Sequence, residues 1–216
     1  MMTEATVFVV DDNLGVRNSL RALLESAGLA VEAYASGAEF LAAYSPERPG
    51  CLVLDIRLRQ GNGLDLQDEL LRRRVSLPII VLTGYGNVPA SVRALKAGAL
   101  DFLQKPAAPK LLLERILAAL EHDRQARIVT DERAVVRRRL AELTPREGEV
   151  MELLVAGKSS KEIAAAMRVS IRTVEGHRRA VFSKMEVSSA AQLVRTVLNA
   201  RASDVRKTPA AQPKNP

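Results

Sequence analysis

The chain has 216 residues, enough for one large domain or two small ones; 47% are hydrophobic, so a real core is within reach, and a single cysteine, Cys51, excludes an internal disulfide. No apolar run is long enough to span a membrane, and the opening Met1-Met2-Thr3-Glu4 lacks the basic start and apolar stretch of a secretory signal, so a cytoplasmic protein is expected. The net charge of +7 is uneven: residues 1–125 hold 14 basic and 15 acidic side chains, residues 126–216 hold 18 and 10, which points to nucleic acid as a partner of the second part only.

In chain order, residues 6–10 read as a strand that ends on Asp11-Asp12. Residues 13–26 carry Leu14, Leu20, Leu23 and Leu24 at helical spacing, with Gly28 as the stop. Residues 30–35 alternate weakly, and Ser36 caps a short helix through Ala43. Cys51-Leu52-Val53-Leu54 is apolar without alternation, the pattern of a strand buried on both faces, and it ends on Asp55. Gly61 and Gly63 make a loop before a helix over 64–73. A fourth strand at 79–83, a helix over 88–97 and a fifth strand at 101–104 complete an alternating series. Such alternation predicts a doubly wound five-stranded parallel sheet, an α/β fold.

Between Pro109 and Pro145 there is no glycine or proline, which predicts one long helix running from the first domain into a linker. About 30 residues at 1.5 Å each would span roughly 45–50 Å. The apolar stripe thins between Asp123 and Arg127, where a break is most expected. This segment reads either as a solvated linker or as a coiled-coil dimer contact. Four short helices follow. Thr144 with Glu147, Ser159 with Glu162, and Ser189 with Gln192 fit capping boxes, and Ser170 caps a third helix over 171–186. Two short helices joined by a tight turn at Arg168-Val169 predict a helix-turn-helix in an all-α unit. The tail from Ala202 is expected to be disordered.

Ligands of open α/β sheets sit beyond the carboxyl ends of the strands. Asp11, Asp12 and Asp55 all fall there, and if their strands are neighbours the three carboxylates need a proton or a cation between them. An oxygen-only donor set favours Mg²⁺ or a similar hard ion. Asp11-Asp12, Asp55, Thr83-Gly84, Phe102 and Lys105-Pro106, in this order at strand ends, resemble the receiver domain of bacterial two-component response regulators, over residues 5–122. The resemblance implies that Asp55 accepts a phosphoryl group and that Asp11, Asp12, Asp55 and the backbone carbonyl of Arg57 hold Mg²⁺ (or Mn²⁺). It also implies that Lys105 is the cationic partner, with Thr83 and Phe102 as switch residues. Two positions depart from the family pattern: Arg59 stands where receivers usually carry proline, and Ala107 where phenylalanine is frequent. An aspartyl-nucleophile hydrolase would place a second acid two residues after the nucleophile, and Arg57 stands there instead.

Residues 142–200, through Leu143-Thr144-Pro145-Arg146-Glu147, Ser160-Lys161-Glu162-Ile163-Ala164 and Thr173-Val174-Glu175-Gly176-His177-Arg178, resemble the LuxR-type DNA-binding domain. With the receiver, and a helical linker over 123–141, the whole is similar to FixJ/NarL-type transcription factors rather than an enzyme. Val174, Val181 and Met185 are spaced to face a core, which leaves Glu175, Gly176 and Arg179 on the reading surface. Arg179 is a candidate for bidentate contact with guanine. Glu175 either accepts from cytosine or orients Arg179 one turn on. Lys161, Arg172, Thr173, Arg178 and Lys184 are candidates for phosphate contact. Gly148 weakens the first helix of this unit by about 1 kcal/mol relative to alanine. The implied partners are a sensor histidine kinase, double-stranded DNA, a second copy of the chain when phosphorylated, and RNA polymerase.

Overall fold

The computed structural model describes residues 5–59, 61–84 and 88–201. The chain divides into two compact units that meet between Arg127 and Ile128.

In the first unit, β1 (Thr6–Val10), β2 (Ala30–Tyr34), β3 (Gly50–Leu54), β4 (Ile79–Thr83) and β5 (Asp101–Gln104) form one parallel sheet in the order β2-β1-β3-β4-β5. The chain leaves β1 toward β2 on one side and returns to β3 on the other. The boundary between β1 and β3 is therefore the topological switch point, where such sheets open a crevice at their carboxyl ends. The strands are apolar on both faces because both are covered. Phe8, Val10, Leu52, Leu54 and Val81 pack with α2 (Gly37–Ala43), α3 (Gly63–Arg72) and α4 (Val88–Lys96). Val7, Val9, Cys51, Val53 and Ile80 face α1 (Leu14–Ser26) and the first half of α5 (Pro109–Ala141). Fully burying each such side chain contributes roughly 1.5–3 kcal/mol.

Helix α5 is unbroken over 33 residues, about 50 Å at 1.5 Å per residue. The expected weak point, where the apolar stripe thins, holds for a polar reason. Asp123 is 2% exposed and its carboxylate accepts from Gly50 N at 2.9 Å. Arg127, one turn on, donates to Asp123 Oδ2 at 2.7 Å and to the carbonyls of Pro46, Glu47 and Arg48. The helix thus exchanges apolar burial for a hydrogen-bonded clamp on the loop entering β3. Gly50 is obligatory at that point: its φ is +157°, and a Cβ would lie 2.0 Å from the Thr6 carbonyl oxygen.

In the second unit, α6 (Pro145–Val155), α7 (Ser160–Met167), α8 (Ile171–Met185) and α9 (Ala190–Arg201) surround a core of Val150, Leu154, Ile163, Val174, Val181, Met185, Leu193 and Val197. Thr144 and Ser159 close full capping boxes with Glu147 and Glu162. At α9 the expected box is shifted: Ser189 Oγ accepts from Gln192 N, but the Gln192 side chain accepts from the amide of Ser188. Helix α7 ends at Arg168 in the left-handed region, φ 56°, which turns the chain sharply into α8. The expected disordered tail, 202–216, lies outside the described residues.

Candidate functional site

Parallel pairing sets Val10 beside Leu54, and the amide of Asp55 donates to the Val10 carbonyl at 2.9 Å, so the residues after β1 and β3 emerge side by side. Asp11 and Asp55 are 2% and 8% exposed. Two carboxylates in so little water require a counter-charge, and Lys105 supplies it. Its Nζ donates to Asp11 Oδ2 at 2.5 Å and to Asp55 Oδ2 at 2.7 Å. Burial works to lower the Lys105 ammonium, but hydrogen bonds to Asp11 and Asp55 outweigh it, and the net shift is upward. The remaining oxygens are also engaged: Asp11 Oδ1 accepts from Asn13 N at 2.9 Å, and Asp55 Oδ1 from Arg57 N at 3.1 Å.

The backbone holds this arrangement in place. Asn13 caps α1 through its side chain, which fixes the turn after Asp12. Gly63, the first residue of α3, approaches the loop after β3 so closely that a Cβ would lie 2.1 Å from the Asp55 carbonyl oxygen. The β4 and β5 ends are tied by Lys105 N donating to the Thr83 carbonyl at 2.8 Å. Thr83 is fully buried, and Phe102 packs half-buried against the core on the α2–α4 face.

Asp12 stands apart from this convergence. Its Oδ2 accepts from Arg59 N at 3.1 Å and lies 3.3 Å from Arg59 Nε. Among the described residues, no three carboxylate, histidine or cysteine groups are gathered closely enough to hold a metal ion. The donor chemistry of Asp11, Asp12 and Asp55 fits a hard cation, with Asp12 engaged elsewhere. Arg59 is the site residue whose role sequence reasoning missed; it registered there only as a departure from proline.

On the second unit, Val174, Val181 and Met185 are buried as their spacing predicts, and α8 presents its other faces outward. Lys161, Arg172, Thr173 and Arg179 are exposed. Arg178 is half-buried: it donates to Ser160 Oγ at 2.8 Å, lies 3.4 Å from Glu175 Oε1, and stacks over Phe182 at 5.5 Å. Glu175 accepts from Ser160 Oγ at 2.5 Å. The alternative in which Glu175 orients Arg179 through a side-chain ion pair is corrected here: the carboxylate faces Arg178 and Ser160, and Arg179 Nε reaches only the Glu175 carbonyl, at 3.4 Å. Lys184 also differs from expectation. It donates to Glu147 Oε2 at 2.7 Å and to the Glu142 carbonyl at 3.1 Å, so its charge is spent inside the domain. The Lys184 ammonium and the Thr144 amide hold the Glu147 carboxyl below its usual range. An added Cβ at Gly176 would meet nothing within 4 Å, so no internal packing demands glycine there.

A parallel sheet with an acidic crevice at its switch point, and a helix-turn-helix with exposed cations on its second helix, define a regulator with separate input and DNA-binding units. The chain belongs to the response regulators that join a receiver domain to a LuxR-type DNA-binding domain, the FixJ/NarL group. Residues 7–117 match the response regulator receiver domain family, and residues 141–197 match the bacterial regulatory proteins of the luxR family. Nodulation protein W of Bradyrhizobium diazoefficiens is 42% identical over 89% of this chain and 85% of its own length. The transcriptional regulatory protein FixJ of Rhizobium meliloti is 41% identical over 91% of this chain and 97% of its own. Among solved structures, the response regulator StyR is 38% identical, with a TM-score of 0.83 over 90% of this chain and 98% of that one. No helix among the described residues is long and apolar enough to cross a membrane.

Proposed function

We propose that this transcription regulator is switched by phosphorylation of Asp55 by a partner histidine kinase, with a receiver domain over 5–122, a helical linker over 123–141 and a DNA-binding domain over 142–200. The observation that carries the reading is the convergence of Asp11 and Asp55 oxygens on Lys105 Nζ at the ends of adjacent strands. The Asp55 carboxylate attacks phosphorus in line with the departing group, and Lys105 moves its charge from the free carboxylate to the new phosphoryl oxygens. Asp11, Asp12, Asp55 and the Arg57 carbonyl would hold Mg²⁺, which neutralises charge on the transferring phosphoryl group. Thr83 and Phe102 then report the new group to α4 and β5. Val92 and Leu95 are exposed on α4, which supports that face as the contact of a phosphorylated dimer. A dimer sets two α8 helices against two DNA half-sites, with Arg179 reading a base and Lys161, Arg172, Thr173 and Arg178 on the backbone.

The test uses labelled acetyl phosphate. Wild-type protein is expected to incorporate label only with Mg²⁺, and Asp55→Asn to incorporate none. Label in the Asn variant would refute the assignment.

A further inference from the structure

Asp12 is the one carboxylate of the acidic crevice that Lys105 does not reach. Lys105 binds the Oδ2 atoms of Asp11 and Asp55, and both are buried. Asp12 keeps 23% of its side chain exposed and points its Oδ2 to the loop after β3 instead. There one residue, Arg59, meets it twice: its backbone N–H donates at 3.1 Å, and the Nε of its guanidinium, whose side chain is 86% exposed, lies 3.3 Å away as an ion pair. The same turn places Arg59 four residues beyond Asp55, on the loop that carries the Arg57 carbonyl. One guanidinium thus sits on the most exposed carboxylate of the crevice while Lys105 neutralises the two buried ones.

We propose that Arg59 is a built-in competitor for the divalent cation at Asp12: its guanidinium and the metal take the same carboxylate, so metal entry requires the side chain to swing into solvent. This inference rests on the metal reading given above and adds a residue that sets metal affinity. Two features of the contact support it. The guanidinium is exposed, so its release disturbs no core. The backbone N–H of Arg59 also holds Asp12, so the carboxylate stays near the loop when the side chain leaves.

An exposed ion pair is worth little, so the competition is modest. Removing the side chain of Arg59 is expected to tighten Mg²⁺ binding about two- to fivefold. Salt screens an exposed pair, so the gap between wild type and variant should narrow as ionic strength rises.

The experiment is calorimetric titration of MgCl₂ into the full-length chain, without phosphodonor, repeated with Mn²⁺ by electron paramagnetic resonance. Arg59→Ala and the neutral, longer Arg59→Gln are both expected to bind more tightly than wild type, and Arg59→Lys to fall between. Asp12→Asn serves as the reference that weakens the site itself. Equal or weaker binding in both neutral variants, with binding still sensitive to Asp12→Asn, overturns the role of Arg59 and leaves the metal site standing. A wild-type chain that binds no divalent ion at all overturns both readings together.

Discussion

The acidic crevice of the first unit and the outward face of α8 carry opposite charge, and they are determined in opposite ways. In the crevice every carboxylate oxygen of Asp11 and Asp55 has a donor within the protein, and one ammonium serves both acids. On α8 Arg179, the side chain proposed to read a base, is exposed and makes only a weak contact with its own helix. Buried charges must be paired during folding or the fold fails, so their geometry is written into the domain. Exposed cations wait for an external anion, and the fold supplies only their spacing. The difference teaches that charge count alone does not define a site; what matters is which charges the protein has already spent. Lys184 and Arg178 lie on the basic helix, yet both are partly spent internally.

That contrast predicts a graded set of effects. The largest should come from the buried clamp: Arg127→Met removes the partner of a carboxylate that is 2% exposed and strips three carbonyl contacts. A loss of roughly 3 kcal/mol in the stability of the first unit is expected, read as a drop in its calorimetric transition. Next, Arg179→Ala should cost about 1–3 kcal/mol of operator affinity and relax the preferred base at one position, while leaving stability unchanged. By comparison, Lys161→Ala should weaken binding to all sequences alike and reduce the salt slope by about one. Equal sequence preference in wild type and Arg179→Ala would break the comparison.

A smaller effect belongs to the spent charge. Glu147→Gln should destabilise the second unit by about 1 kcal/mol at neutral pH. Because the folded Glu147 carboxyl lies below its ordinary value of 4.5, its contribution is present above that pH and lost as pH falls through the folded value. The two chains should therefore converge in stability on acidification below pH 4.5. The smallest concerns Cys51, whose thiol burial pushes up from 9.0 to about 12. Unfolding frees that thiol to ionise, so its contribution is complete below pH 9 and declines as pH rises from there toward 12. Thiol reagents should leave the native protein untouched at pH 8; rapid modification would show that β3 opens.

Much of this was legible in the sequence because it rests on local rules. Unalternated apolar runs ending in aspartate set the sheet and its crevice, and Thr144, Ser159 and Ser170 marked helix starts through capping chemistry. What escaped were pairings between residues distant along the chain. Asp123 and Arg127 looked like the place where α5 would break, because their partners, Gly50 and residues 46–48, lie more than seventy positions away. The i,i+4 spacing of the pair was the available hint. The Arg59–Asp12 contact spans 47 positions, and Lys184–Glu147 spans 37. Exposed spacing suggested a free cation at Lys184, while tertiary placement of α6 against α8 decided otherwise.

Strand β3 is fastened at each end by charge: Asp123 takes the amide of Gly50 where the strand begins, and Lys105 takes the carboxylate of Asp55 just past its last residue. A rod riveted at both tips cannot slide like a piston. Under the proposed phosphorylation, a signal leaving position 55 would therefore travel sideways, through β4 and β5, with the central strand as the fixed bench beside them.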